Sequence, residues 1–114
     1  MKISFDFDGV LSEDKWQLIA KKFILNGDDV WITTSREKTT DEIIKRYPWI
    51  ERQNRQLFDI AYEVGIHFDK IQFTKGVDKW TVLDTFDLHF DDQELEIELL
   101  EENLPSCIGI RVYK

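Results

Sequence analysis

This chain predicts an α/β fold: a parallel sheet of about five strands with helices on both faces. Three observations carry that prediction. Short apolar runs alternate with longer stretches in which apolar residues recur at helical spacing. The first two apolar runs close on polar side chains, at Asp6-Phe7-Asp8-Gly9 and at Thr33-Thr34-Ser35-Arg36. The 114 residues contain no repeat, linker or low-complexity segment, so one domain spanning residues 1–114 is expected.

The elements follow in order. In the first strand Ile3, Phe5 and Phe7 alternate with Ser4, Asp6 and Asp8, which puts both acids on one face, and Gly9 permits a sharp turn. Trp16, Ile19, Ala20, Phe23 and Ile24 mark a helix, with Ser12 as its cap and Asn26-Gly27 as its stop. Val30-Trp31-Ile32 is the core of a second strand that ends at Thr34. Thr40-Asp41-Glu42 opens a short helix that Pro48 must stop or bend, and a further helix through Leu57, Phe58, Ala61, Tyr62 and Val64 ends at Gly65. A short third strand at Ile71-Gln72-Phe73 precedes a helix starting around Val77 to Lys79. The series closes with a strand at Phe86 to Phe90, an acidic helix from about Gln93 to Glu102 and a last strand at Ile108 to Val112. Strands alternating with helices imply right-handed crossovers, and ligands of such sheets bind outside the carboxyl ends of the strands.

Composition narrows the function classes. A formal charge of −8 argues against broad nonspecific binding to nucleic acid or to an anionic membrane, leaving a local basic patch around Lys45, Arg46, Arg52 and Arg55 as the exception. Cys107 is the single cysteine, so no intrachain disulfide forms and a reducing compartment is expected. Neither a signal peptide nor an apolar run of membrane-spanning length is read, which makes the expected location cytoplasmic.

Asp6 and Asp8 ask for a chemical reason, because like charges one pleat apart repel unless a cation or a shared proton separates them. Downstream lie the hydroxyls Thr33, Thr34 and Ser35, then Lys75 and Lys79 flanking Gly76, then Phe86 to Phe90 running into Asp91-Asp92. In the order acid pair, hydroxyl, lysine, acid pair, the chain resembles the haloacid dehalogenase superfamily of aspartate-nucleophile phosphohydrolases, from Asp6 to Asp92. The resemblance implies a three-layer, Rossmann-like sheet. Only about twenty residues separate Gly9 from the second strand, and the segment from Arg36 to Gly65 is mostly helix, so there is no room for the inserted cap domain of many relatives. A capless member has an open cleft unless a second copy in a homo-oligomer covers it.

The resemblance also implies roles. Asp6 is the nucleophile and forms an aspartyl phosphate; Asp8 is the general acid and then the general base. An acid at Asp8 favours phosphate over carbon–halogen chemistry. Thr34, with Thr33 as the less favoured alternative, binds a phosphoryl oxygen, with Ser35 and Arg36 beside it as substrate contacts. Lys79, with Lys75 as its rival, neutralises phosphoryl charge. Asp6, the backbone carbonyl of Asp8, Asp91 and Asp92 form an oxygen-only Mg2+ site. His67 and His89 read as structural or surface histidines, and Glu94, Glu96, Glu98, Glu101 and Glu102 as a solvated helix face. The expected activity is a magnesium-dependent phosphomonoesterase on a phosphorylated substrate. A catalytically idle binding module and a receiver-type phosphoacceptor are the alternatives, the latter disfavoured because no strand near Ile43 to Arg55 supplies its phosphoacceptor.

Overall fold

The computed structural model describes residues 1–113. Five strands form one sheet in the order β3-β2-β1-β4-β5, and every neighbouring pair is parallel. They are β1 (Lys2–Phe5), β2 (Asp29–Thr34), β3 (Ile71–Phe73), β4 (Leu88–Asp91) and β5 (Ile108–Arg111). The helices are α1 (Asp14–Leu25), α2 (Asp41–Arg46), α3 (Trp49–Val64) and α4 (Glu94–Asn103). The expected α/β architecture, with no cap domain, is what the chain adopts.

Register explains the two layers. Ile3 pairs with Val30 and Leu88, and Phe5 with Ile32 and Phe90, so one face of the sheet is wholly apolar. On that face Phe5 stacks on Phe90 at 4.8 Å, with Trp16 and Phe23 of α1 tilted against them. Ala20 of α1 and Leu57, Ala61 and Val64 of α3 complete this core. The opposite face carries the alternate residues Ser4, Trp31, Thr33 and His89. Its apolar part is a smaller cluster of Leu83, Phe86, Leu100 and Cys107 under α4 and the 3-10 turn Lys79–Val82.

The polar residues of that second face are paired with one another. Ser4 Oγ donates to Thr33 Oγ1 at 2.7 Å, Thr33 Oγ1 donates to Gln72 Oε1 at 2.9 Å, and Gln72 Nε2 donates to the carbonyl of Val82 at 3.2 Å. This chain of bonds satisfies groups whose burial would otherwise be costly, and it ties the 3-10 turn to three strands. In β5, a Cβ on Gly109 would stand 3.2 Å from Ile97 and Leu100, so the absent side chain is what lets α4 lie close on the sheet.

Some boundaries differ from expectation. β1 ends at Phe5, so Asp6 lies one residue past the strand and Asp8 belongs to a turn rather than to the strand's polar face. Asp8 (φ −66, ψ 120) and Gly9 (φ 80, ψ −2) have the angles of a type II turn, whose third position requires the glycine. Ser12 does not cap α1: its Oγ accepts from the Gly9 N–H at 3.0 Å and closes that turn, while Glu13 precedes the helix without a side-chain cap. The helix expected from about Val77 is only the four-residue 3-10 turn. Thr40 caps α2 as expected, Pro48 separates α2 from α3, and Gly65 ends α3 in the left-handed region. No helix among the described residues is long and apolar enough to cross a membrane.

Candidate functional site: an acidic cleft at the switch point of the sheet

The strand order reverses at β1. The chain runs outward through β2 and β3, then returns to the other side of β1 as β4. The crevice beyond the carboxyl ends of β1 and β4 is where such sheets bind ligands. Asp6 follows β1 and its N–H donates to the Phe90 carbonyl at 2.8 Å; Asp91 ends β4 and Asp92 follows it. Two strands remote in sequence thus deliver three carboxylates to one place, each with an oxygen within 4.8 Å of the others.

Lys79 enters from the 3-10 turn. Its Nζ is 2.7 Å from Asp6 Oδ1 and 2.7 Å from Asp91 Oδ2, and the side chain is 4% exposed. The backbone N–H of Lys79 donates to Glu96 Oε2 at 3.1 Å, so α4 fixes the start of the turn. Glu96 is therefore more than solvated surface, which corrects the reading of that helix face. Lys75, the rival lysine, is exposed and paired with Glu37 at 3.3 Å, away from this cluster.

His89 is the residue the sequence reading undervalued. It is fully buried, and its Nε2 lies 2.8 Å from Asp91 Oδ2. Asp91 thus receives Lys79, His89 and, on Oδ1, the Gln93 N–H at 3.0 Å. Although burial works against its charge, the His89 and Lys79 contacts pull Asp91 down to about 2. Burial lowers the pKa of His89, so its imidazole is neutral at pH 7 and Nε2 carries the hydrogen toward Asp91. Nδ1 then has no partner. The signal for His89 was present: it stands two positions before Asp91 on a strand, hence on the same face.

Asp6 has the opposite balance. Burial raises it to about 7 despite Lys79, with the Asp91 charge and the Asp92 carboxyl adding to the rise. One lysine faces three acids, and Asp6 is where the shortage of positive charge is felt. An all-oxygen trio short of positive charge suits a hard divalent cation such as Mg2+. Ligand oxygens of a magnesium octahedron are about 3–4 Å apart, so separations within 4.8 Å need little contraction.

Asp8 lies outside the trio. Its carboxylate takes a bidentate ion pair from Arg36, at 2.7 and 3.0 Å. Arg36 also donates to the Gln53 carbonyl of α3 at 2.6 Å and lies over the Phe7 ring at 5.0 Å. Thr34 is fully buried, and its Oγ1 accepts from the Arg36 N–H at 3.3 Å. Ser35 is the hydroxyl that lines the cleft, a cavity of about 250 Å³ shared with Asp6, Asp8, Lys79, Asp92 and Glu96. Thr33 is held inside the sheet network. His67 is exposed beside Asp69, far from this chemistry in role as expected.

No protein-family model matches the chain, and a search of curated proteins finds no match.

Proposed function

We propose that this chain is a capless, magnesium-dependent phosphohydrolase of the haloacid dehalogenase type, working through an aspartyl phosphate on Asp6. The observation that carries this reading is the convergence of Asp6, Asp91 and Asp92 with a buried Lys79 at the switch point of the sheet. Asp6, Asp91 and Asp92 would hold Mg2+, which would offset negative charge on the carboxylates and on a bound phosphoryl group.

The residues divide the work. A deprotonated Asp6 oxygen attacks phosphorus and the bond from phosphorus to the leaving oxygen breaks, with Asp8 giving that oxygen its proton. Asp8 then takes a proton from water as the water attacks phosphorus, which frees inorganic phosphate and restores Asp6. Lys79 keeps the Asp6 carboxylate oriented and balances charge on the phosphoryl oxygens. Ser35, which lines the cleft, would donate to one of those oxygens. Asp8 must leave Arg36 to act, and a substrate phosphate competing for the guanidinium supplies the exchange. A phosphorylated cytoplasmic substrate fits this reading.

The test is hydrolysis of p-nitrophenyl phosphate by the wild type and by Asp6→Asn, each with magnesium and with chelator. Magnesium-dependent turnover that the variant loses is the expected result. A folded wild type that binds magnesium but turns over no aryl phosphate would favour an idle binding module over an enzyme.

A further inference from the structure

The segment between β2 and α3 differs in charge from the rest of the chain. Residues 36–55 contain six basic side chains, Arg36, Lys38, Lys45, Arg46, Arg52 and Arg55, against four acidic ones, in a protein whose formal charge is −8. Positive charge has been gathered near the acidic cleft, at the same carboxyl edge of the sheet.

α2 gives this segment a concave surface. The helix has no buried residue, and between it and the turn after β3 lies a cavity of about 760 Å³. Lys45, Arg46, Tyr47 and Lys75 line it together with Glu37 and Glu42. Glu37 is paired with Lys75, whereas Lys45 and Arg46 are in no ion pair among the described residues. Lys75 is the one non-glycine residue among those described with a positive φ, at 52°. Its turn is latched to the catalytic loop, with the Lys75 N–H donating to the Arg36 carbonyl and the Gly76 N–H to the Ser35 carbonyl. The cavity wall and the cleft loop are thus one hydrogen-bonded unit.

The same surface exposes aromatic rings. Tyr47 and Trp49 pack edge to face at 5.3 Å and are 42% and 58% exposed. Unpaired cations beside an exposed aromatic pair are what single-stranded nucleic acid requires: phosphates meet the cations and bases stack on rings. An acidic peptide would use the cations and leave the rings idle. A free mononucleotide would fill the cleft with its phosphate and have little left to reach the cavity.

We propose that the α2 surface docks a single-stranded nucleic acid whose terminal phosphate enters the cleft at Asp6. This rests on the phosphohydrolase reading for the cleft, but binding and turnover can be read apart. The complementarity is local, in a chain whose formal charge is −8.

The experiment uses a thymidine oligonucleotide of about six residues, within the span that such surfaces cover, carrying fluorescein at one end and phosphate at the other, in 3′- and 5′-phosphate versions. Fluorescence anisotropy is measured with Asp6→Asn protein, so that turnover cannot erase the ligand. One of the two strands should bind, and Lys45→Glu with Arg46→Glu, or Tyr47→Ala with Trp49→Ala, should weaken it about tenfold or more. Log affinity should fall with log salt concentration, and removing the two cations should flatten that slope by about 1.4, since each phosphate contact on a single strand contributes about 0.7. In an Asp6 background the same surface variants should keep p-nitrophenyl phosphate turnover. Equal binding by parent and surface variants would overturn the proposal, as would equal binding of thymidine monophosphate or of a phosphopeptide of matched charge. Absence of aryl phosphate turnover with intact, variant-sensitive strand binding would sink the phosphohydrolase reading and leave the docking surface standing.

Discussion

Lys79 Nζ lies 2.7 Å from Asp6 Oδ1 although 73 positions separate the two residues. The same nitrogen is 2.7 Å from Asp91 Oδ2, so a single cation serves two buried acids. Lys79→Met strands both. Removing one partner of a buried ion pair costs about 3–5 kcal/mol, and urea unfolding at pH 7 should show a loss of that order. The loss should shrink at pH 5, where Asp6, raised to about 7, holds a proton and no longer needs the ammonium. A deficit that is the same at both values would refute the charge argument.

Asp6 and Asp91 set opposite dependences on pH. The folded chain holds the Asp6 proton up to about 7 while the unfolded chain releases it near 4, so this group costs stability progressively as pH rises between those values. Asp91 contributes stability that is present above about 4 and lost as pH falls toward about 2. A divalent cation held by Asp6, Asp91 and Asp92 would relieve the Asp6 cost. The rise in Tm with magnesium should therefore be small at pH 5 and larger at pH 8, and Asp91→Asn should abolish most of it. Differential scanning calorimetry checks both, and an unchanged shift in the variant would remove Asp91 from the metal site.

His89 would act on a bound cation through Asp91, whose Oδ2 lies 2.8 Å from its Nε2. His89→Gln can keep an N–H directed at the carboxylate, whereas His89→Leu removes it, and loss of such a supporting contact typically costs 10- to 100-fold in metal affinity. Isothermal titration with magnesium should show the leucine variant weakened on that scale and the glutamine variant close to wild type. Equal weakening in both would assign His89 to packing alone.

Asp8 is exposed and contributes little to packing, so Asp8→Asn should fold as the wild type does. On the proposed function, its turnover of an aryl phosphate should fall about 10²- to 10⁴-fold, the usual contribution of a positioned proton donor. Single-turnover kinetics with an activated leaving group should recover part of the loss in the first step.

Cys107 is buried beneath α4, and burial pushes its thiol up to about 11. A thiol-reactive dye at pH 8 should label it at the rate of global unfolding rather than at the rate of a free thiol. Rapid labelling of native protein would mean that the smaller core opens locally.

The fold was legible because period-two apolar runs and helical stretches alternate without conflict along the chain, and because Asn26-Gly27, Thr40, Pro48 and Gly65 punctuate them where elements start or end. The acids at the two strand ends were legible for the same reason. The position of Asp8 was not, since a type II turn at Asp8-Gly9 overrides the strand alternation and aims its carboxylate at Arg36. Nor was the division of labour among the hydroxyls. Whether Thr33, Thr34 or Ser35 faces the cleft depends on where β2 stops, and a one-residue shift moves a side chain to the other face. His89 and Glu96 gain their roles from contacts with Asp91 and the Lys79 turn, which local pattern does not encode.

The central position of β1, between strands that leave the ribosome early and late, has a consequence for synthesis. Asp6 is synthesised more than eighty residues before its partners on β4. Until Lys79 and Asp91 are synthesised the Asp6 carboxylate lacks both, and the edge of β1 that will receive β4 stands open. The carboxylate cluster is therefore completed in one late step, when Leu88–Asp91 closes that edge, and on the proposed function an incomplete chain would carry Asp6 without the means to use it.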